Sequence, residues 1–403
     1  MPRSLLALSP RLVCMMDDMA DTARAALSSK TDRFLADENT PTPFVVVDLD
    51  RVRAQHQRLA DAMPFAEIFY AVKANPAPQV LAALAERGVS FDLASDGEME
   101  RCFSLGIAAT RFSFGNTIKR ETDIVRAYTQ GVRLFAFDSE GELDKLARAA
   151  PGAAVFCRLA VPARGADWPL TRKFGCHAEW ATDLLLRARR QGLKPVGVSF
   201  HVGSQQTEPE AWHAAIGTAH GVFRNCARNG LPLDLLNLGG GLPAQYRAAV
   251  PPLARYAETI ESSLRERFGQ SRPRIIIEPG RYMAGDAGVL RSQVLLIARK
   301  SRQSWVRWVY LDAGRYNGLP ETLDERIRYR LRTEKDGGPL GPVILAGPTC
   351  DSTDVLYERA GYELPLDLAI GDTVDFLSAG AYTASYASVE FNGFAPIRAY
   401  CVE

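Results

Sequence analysis

A chain of 403 residues with 47% hydrophobic content can bury a large core, and its length fits two domains or one big barrel with an addition. Lysine plus arginine (48) and aspartate plus glutamate (47) nearly cancel to a formal net charge of +1, so nothing electrostatic favours nucleic acid or a membrane, and a small-molecule partner is expected. Seven cysteines without CxxC or CxxH spacing argue for a reducing, cytoplasmic compartment and against a structural zinc, and no metal site is expected.

The start, MPRSLLALSPRLVCMM, has an apolar run cut by Ser9-Pro10, too short for a signal sequence, and no later window approaches a membrane span. Residues 1–30 read as a disordered extension. FVVVDLD (44–50) reads as a first strand. Short apolar runs follow at 66–72, 89–93, 112–114, 133–137, 154–160, 195–200, 234–238 and 274–277. Between them lie amphipathic helical patterns such as QVLAALAERG (79–88), GELDKLARAA (141–150) and WATDLLLRARRQG (180–192). Strand and helix alternating at this pace imply parallel pairing through right-handed crossovers, and eight strands imply closure into a TIM-like (β/α)₈ barrel over 50–284. Beyond Ala284 the runs VLRSQVLLIARK, RWVYLDAG, PVILAGPTC, TVDFLSAGAY and FNGFAPIRAYCV read as strands, with a helix-like insert at 321–332 and a mobile loop at 333–341. The chain is therefore expected to be α/β plus all-β, with 285–403, together with 31–49, forming a β domain.

Chemistry in such a barrel gathers at the C-terminal ends of the strands. Those ends carry Lys73, Asp92, Asn116, Asp138, Arg158, His201, the triplet Gly239-Gly240-Gly241, and Glu278 with Arg281. Any one of them is ordinary, since strand ends are wet and Lys73 alone is more often solvated than catalytic. Together they suit amine chemistry with an aldehyde cofactor that carries a phosphate. A desolvated lysine has its ammonium form disfavoured and can form a Schiff base, which fits pyridoxal 5'-phosphate. A glycine-rich turn such as LNLGGGLP (236–243) lets backbone N–H groups approach a phosphate. Glu278 at the pyridine nitrogen would keep the ring an electron sink, and His201 offers an aromatic face for stacking.

The motifs YAVKAN (70–75), FDLAS (91–95), SFHVGSQ (199–205), GGG (239–241), EPGRY (278–282), GPTCDSTD (347–354), GAYT (380–383) and FNGF (391–394) closely resemble the ornithine/diaminopimelate/arginine decarboxylases of the alanine-racemase fold type, in order from about Pro43 to the C-terminus. The resemblance implies a head-to-tail homodimer with shared active sites, and a first strand that joins the C-terminal β domain. By position it implies Lys73 as the Schiff-base lysine, Glu278 at the pyridinium nitrogen, His201 on the ring, Asp92 and Glu98 near the Schiff base, and Arg158 near the ring oxygen. Ser204, Gly239, Gly240, Gly241, Arg281 and Tyr382 would hold the phosphate. Cys350, the proton donor, and Asp351, which binds the distal amine of a basic amino acid, would come from the other subunit.

Asp351 directly after the cysteine favours ornithine, converted to putrescine and CO₂. Lysine differs by one methylene, worth about 1–3 kcal/mol in a pocket, so a lysine or dual enzyme is the alternative, with diaminopimelate further behind. The second acidic contact falls among Glu321, Asp324 and Glu325, with Asp324 taken as the expected one, and Phe391 as a wall of the site. GADWPLTRKFGC (165–176) reads as a lid over the mouth, with Lys173 near its hinge, or equally as a static loop. A racemase would need a second base where this chain has Cys350, and a non-catalytic decarboxylase-like binding protein would have lost Lys73, Glu278 and Cys350.

Overall fold

The computed structural model describes residues 27–37, 39–170 and 173–403. The expected disordered extension lies outside these apart from its last residues, where Ser28 caps a helix, α1 (Ser29–Leu35), by accepting the Thr31 N–H. β1 (Phe44–Asp48), buried along its whole length, leads into α2 (Leu49–Ala62), whose N-cap is Asp48.

Eight parallel strands then close a barrel: β2 (Glu67–Ala71), β3 (Ser90–Leu93), β4 (Phe112–Phe114), β5 (Leu134–Phe137), β6 (Ala154–Arg158), β8 (Lys194–Ser199), β10 (Leu235–Asn237) and β11 (Arg274–Ile277). A small antiparallel pair, β7 (Ala166–Trp168) with β9 (Ser204–Gln206), is inserted between strand ends. Period-two alternation explains which side chains fill the barrel. Phe69, Ala136, Phe156, Leu235 and Ile276 form one cluster inside it, while their neighbours Ile68, Tyr70, Phe135, Phe137, Val155 and Cys157 point outward into the larger core beneath the helices. Those helices include α3 (Pro78–Ala85), α4 (Asp96–Ser104), α5 (Glu121–Thr129), α6 (Glu140–Ala149), α7 (Ala178–Arg190), α8 (Glu210–Arg228) and α9 (Leu253–Phe268). Ser95 and Ser139 cap α4 and α6 by accepting from Glu98 N and Glu142 N.

The remaining strands are β12 (Gly288–Ala298), β13 (Arg307–Leu311), β14 (Arg330–Thr333), β15 (Leu340–Ala346), β16 (Val355–Pro365), β17 (Thr373–Leu377) and β18 (Arg398–Val402). They form one sheet ordered β14-β17-β12-β13-β15-β16, and β1 joins it antiparallel to β12 and parallel to β18. Three local expectations change. The 321–332 insert is a short 3₁₀ segment, Pro320–Glu325, followed by strand β14, because Asp324 and Glu325 take φ of 54° and 57° and stop any helix. β16, not anticipated, is an edge strand whose charged Glu358 and Arg359 and central Gly361 mask its pattern. FNGF is a 3₁₀ turn, and the strand begins only at Arg398.

Candidate active site

β2 ends at Ala71, and the chain turns through a 3₁₀ segment, Val72–Ala74, that presents Lys73 at the barrel mouth. The turn is gripped on both sides. Asn75 Oδ1 accepts the Ala77 N–H at 3.1 Å and its Nδ2 donates to Gly380 O at 2.8 Å, while Tyr382 N–H donates to Ala74 O at 2.9 Å. Pro78 then opens α3, where its missing N–H costs nothing. The break at Asn75-Pro76 thus stitches the lysine turn to the β sheet.

Lys73 faces a cavity of about 300 Å³ whose wall also includes Asp92, Asn116, Arg158, His201, Ser204, Glu278 and Tyr382. Lys73 Nζ donates to Asp92 Oδ2 at 3.0 Å, and the other oxygen, Asp92 Oδ1, is buried with no hydrogen bond. Gly115 leaves room for that carboxylate, since a Cβ there would lie 2.0 Å from Oδ1. Glu98, which reaches back to the Ala94 N–H at 2.6 Å, sits behind, its carboxyl pushed up by burial. Across the mouth Glu278 Oε1 accepts from Asn237 Nδ2 at 2.5 Å, and Asn237 Oδ1 accepts the Gly239 N–H at 2.9 Å. One buried asparagine therefore ties the glycine turn to the carboxylate. At Gly240 a Cβ would meet Glu278 O at 2.6 Å and His201 Nε2 at 3.2 Å, so only glycine fits between them.

The electrostatics separate the roles. Burial, then the Arg158 and Lys73 cations, push His201 well below its ordinary range, so the ring is neutral; its Nδ1 accepts the Gly203 N–H at 3.0 Å, which leaves the proton on Nε2. Burial and then Asp92 push Glu278 up to about 7, against the pull of Lys73, Asn237 and Arg158. Lys73 corrects the sequence reading. Burial alone would disfavour its ammonium, but Asp92, Tyr382, Glu278 and Glu98 outweigh it and hold the lysine above its ordinary value. Any attack of its amine on a carbonyl would therefore require the loss of that proton first.

Other expected residues stand elsewhere. Arg281 does not line the cavity but lies behind it, almost fully buried, paired with both Glu321 oxygens at 2.6 and 2.7 Å. Its remaining N–H groups reach Tyr246 Oη at 2.7 Å and Ser204 Oγ at 3.1 Å, and its guanidinium lies 4.8 Å from the Tyr382 ring centre. Asp324 is not brought to the cavity; it lines a separate cleft with Asp167 and Arg247, and Glu321 is the acidic residue that reaches the wall. Asp138 serves the scaffold, accepting from Thr117 Oγ1 and Gly175 N. Cys350 is exposed and Asp351 half-buried, both outside this chain's own cavity. Close by, Phe391 packs on Tyr316 at 4.8 Å between ring centres, and Asn392 Oδ1 accepts the Cys350 N–H. The 165–176 segment forms β7, and its Trp168, Leu170 and Phe174 give the cavity an apolar side together with Tyr386; Lys173 Nζ lies 5.1 Å from the Phe174 ring centre. Asn237 and Tyr246 were not read from the sequence; Asn237 stands two residues before the glycine run, which was its only signal.

The family model described as "Pyridoxal-dependent decarboxylase, pyridoxal binding domain" matches residues 49–285. The chain belongs to this decarboxylase family. It is 37% identical over 369 residues to the lysine/ornithine decarboxylase of Selenomonas ruminantium, covering 91% of each chain. It is 33% identical to the ornithine decarboxylase of Mus musculus, covering 96% of this chain and 86% of that one. Among solved structures, lysine/ornithine decarboxylase from Vibrio vulnificus complexed with cadaverine superposes with a TM-score of 0.84 at 33% identity, covering 94% of this chain and all (100%) of the other. As a member of the family the protein is an enzyme, a pyridoxal-dependent decarboxylase.

The site's residues fit the cofactor: an amine at Lys73, an unpartnered buried oxygen on Asp92 beside it, a carboxylate at Glu278, and a groove at Gly240 that any Cβ would fill. When bound, pyridoxal phosphate supplies an aldehyde and a ring that withdraws the electrons left when CO₂ departs. Glu278 would be the carboxylate available to that ring's nitrogen, and Arg158 and neutral His201 line the same cavity.

The Glu278 shift has a sign that can be measured on cofactor-free protein. A carboxyl raised from 4.5 to about 7 adds stability that is full below its unfolded value and lost as pH rises through the folded one. Glu278→Gln removes that loss. The fall in Tm between about pH 5 and about pH 8 is expected to be smaller in the variant; equal falls would show that Glu278 does not titrate in this window.

Proposed function

We propose that this decarboxylase acts on a basic L-amino acid, principally L-ornithine, releasing CO₂ and putrescine, and that L-lysine is its second substrate. The observation that carries the reading is the pairing of Lys73 and Glu278 in one cavity with a further buried carboxylate, Glu321, on its wall, and apolar Trp168, Leu170 and Phe174 to receive an aliphatic chain. The relatives support the class: the Vibrio vulnificus lysine/ornithine enzyme is seen complexed with cadaverine and with putrescine, and a Chlorella virus arginine decarboxylase, 28% identical with a TM-score of 0.85, with agmatine.

Within the cavity, Asp92 accepts the proton that Lys73 carries, and Glu278 holds positive charge where electrons must be withdrawn. Ser204, the Gly239–Gly241 turn and Tyr382 are the proposed phosphate contacts, with Arg281 acting through Ser204 or directly. Phe391, Cys350 and Asp351 are proposed to enter from the second subunit of a homodimer. This is supported by the exposure of Cys350 and Phe391, with Asp351 half-buried beside them, and by a cavity that has no thiol among the described residues of its own chain to reprotonate the product carbon. A cytoplasmic location is the reading of the free thiols, and no helix among the described residues is long and apolar enough to cross a membrane.

Side-by-side kcat/KM values for L-ornithine, L-lysine, L-arginine and meso-diaminopimelate test the substrate. Ornithine is expected to lead, with lysine lower by roughly 10- to 200-fold, the scale of one methylene. Preference for meso-diaminopimelate would overturn the reading of Asp351.

A further inference from the structure

One residue behind the cavity wall, β6 and the segment after β7 carry two facing thiols. Cys157 is fully buried at the outer face of β6, next to Arg158. Cys176 is half-buried, and its Sγ lies 3.5 Å from the Sγ of Cys157. The backbone fixes the approach. Cys176 N–H donates to Arg158 O at 3.0 Å, and Ala160 N–H donates to Cys176 O at 2.8 Å, so Cys176 pairs with Leu159 as in a parallel ladder. Side chains two apart on a strand share a face, which turns Cys157 toward the same neighbour as Leu159. Gly175, at φ +88°, allows the close passage, since a Cβ there would lie 2.6 Å from Ala160 N; its own N–H is held by Asp138 at 2.7 Å.

We propose that Cys157 and Cys176 form an oxidation site, a dithiol that a peroxide converts into a disulfide and that lowers the enzyme's activity when closed. The sulfurs need to approach by about 1.5 Å to reach the ~2.05 Å of a disulfide. The half-exposed Cys176 meets the oxidant first. Burial, then the hydrogen bond to Cys176, keeps the Cys157 thiol protonated. The Cys176 sulfur attacks one peroxide oxygen, the O–O bond breaks, and water leaves with a proton, giving a sulfenic acid. The Cys157 sulfur then attacks the Cys176 sulfur, an S–S bond forms as the S–O bond breaks, and the Cys157 proton leaves with the second water. Two thiols lose two electrons and one peroxide becomes two waters.

Both flanks of the pair carry cavity groups. Arg158 follows Cys157 directly, and Phe174, two residues before Cys176, has its ring centre 4.9 Å from the Arg158 guanidinium. Drawing the sulfurs together shifts this stacked pair, and displacements near 1 Å at a site cost up to about 10²-fold in rate.

Holoenzyme treated with hydrogen peroxide, then mapped by trypsin without reductant, tests the site. Cleavage after Arg158, Arg164 and Lys173 leaves the two cysteines in separate peptides. The expected result is a linked peptide pair, an intact mass lower by about 2 Da, and a loss of kcat/KM of about tenfold or more that dithiothreitol reverses. Cys176→Ser is expected to keep its starting activity, form no linked pair, and lose only the activity due to oxidation of Cys350. Recovery of both peptides unlinked, or equal reversible losses in wild type and Cys176→Ser, would overturn the proposal. The readout by mass does not depend on which amino acid the enzyme decarboxylates.

Discussion

Lys73→Ala is expected to lower kcat/KM by at least ~10³-fold, the scale seen when a covalent catalytic group is removed. Two consequences of the geometry act together. The amine proposed to join the cofactor's aldehyde is gone, and Asp92, buried with one oxygen already unpartnered, loses the only cation hydrogen-bonded to it among the described residues. Borohydride treatment of wild type with the cofactor should leave one reduced cofactor attached to the peptide containing Lys73, its mass that of the cofactor less one water plus two hydrogens, and the variant should gain none. The same variant reads the second subunit's part. Mixed with Cys350→Ala under conditions that exchange subunits, it should recover about one quarter of wild-type activity, because half of randomly paired dimers are mixed and each mixed dimer holds one complete site. No recovery would place Lys73 and Cys350 of one site on the same chain and remove the shared-site homodimer.

Glu321→Gln is expected to destabilise the cofactor-free protein by about 3–5 kcal/mol, measured as a lower urea midpoint, because it leaves the Arg281 cation buried without its counter-charge. Arg281 and Glu321 are 3% and 4% exposed, with two short hydrogen bonds between them. Replacing both, Arg281→Met with Glu321→Leu, should recover most of the loss, since a buried pair is often matched by apolar residues of similar size. The phosphate role proposed for Arg281 adds a distinguishing arm. Saturating cofactor supplies negative charge at Arg281, so the Glu321→Gln penalty should shrink in the holoenzyme if Arg281 meets the phosphate, and stay unchanged if it does not.

The barrel was legible because its strands are short apolar runs bounded by turns. FSF at 112–114 and RIII at 274–277 stand where periodicity put them, and the others differ by one or two residues at their ends. The lysine, its carboxylate partner and Glu278 were legible as strand-end residues, since a parallel barrel leaves little freedom in where such ends point. What stayed hidden depends on contacts between distant segments. The Arg281–Glu321 pair joins a short helix after β11 to a 3₁₀ turn after β13, and nothing in either local pattern announces the other. Asp324 looked as suitable as Glu321 on spacing; only the left-handed backbone at 324 and 325 decides that the first faces another cleft. The lysine's charge state was misread for the same reason: burial is local and legible, whereas the carboxylates that overcome it arrive from three other strand or helix ends.

The first strand's place in the last sheet has a consequence for biosynthesis. Phe44 pairs with Arg291 on one side and with Arg398 on the other, so an apolar ribbon made early must wait for nearly the whole chain to emerge before its edges are covered. The barrel, whose neighbours are mostly consecutive, is free to close in the meantime, and the long-range pairing of β1 with β12 and β18 is expected to form last. Leu27 packs in the same cluster as Tyr400 and Val402, so the two ends of the described residues lie close together, and a circularly permuted form of 27–403 that joins them and opens a barrel loop should still fold.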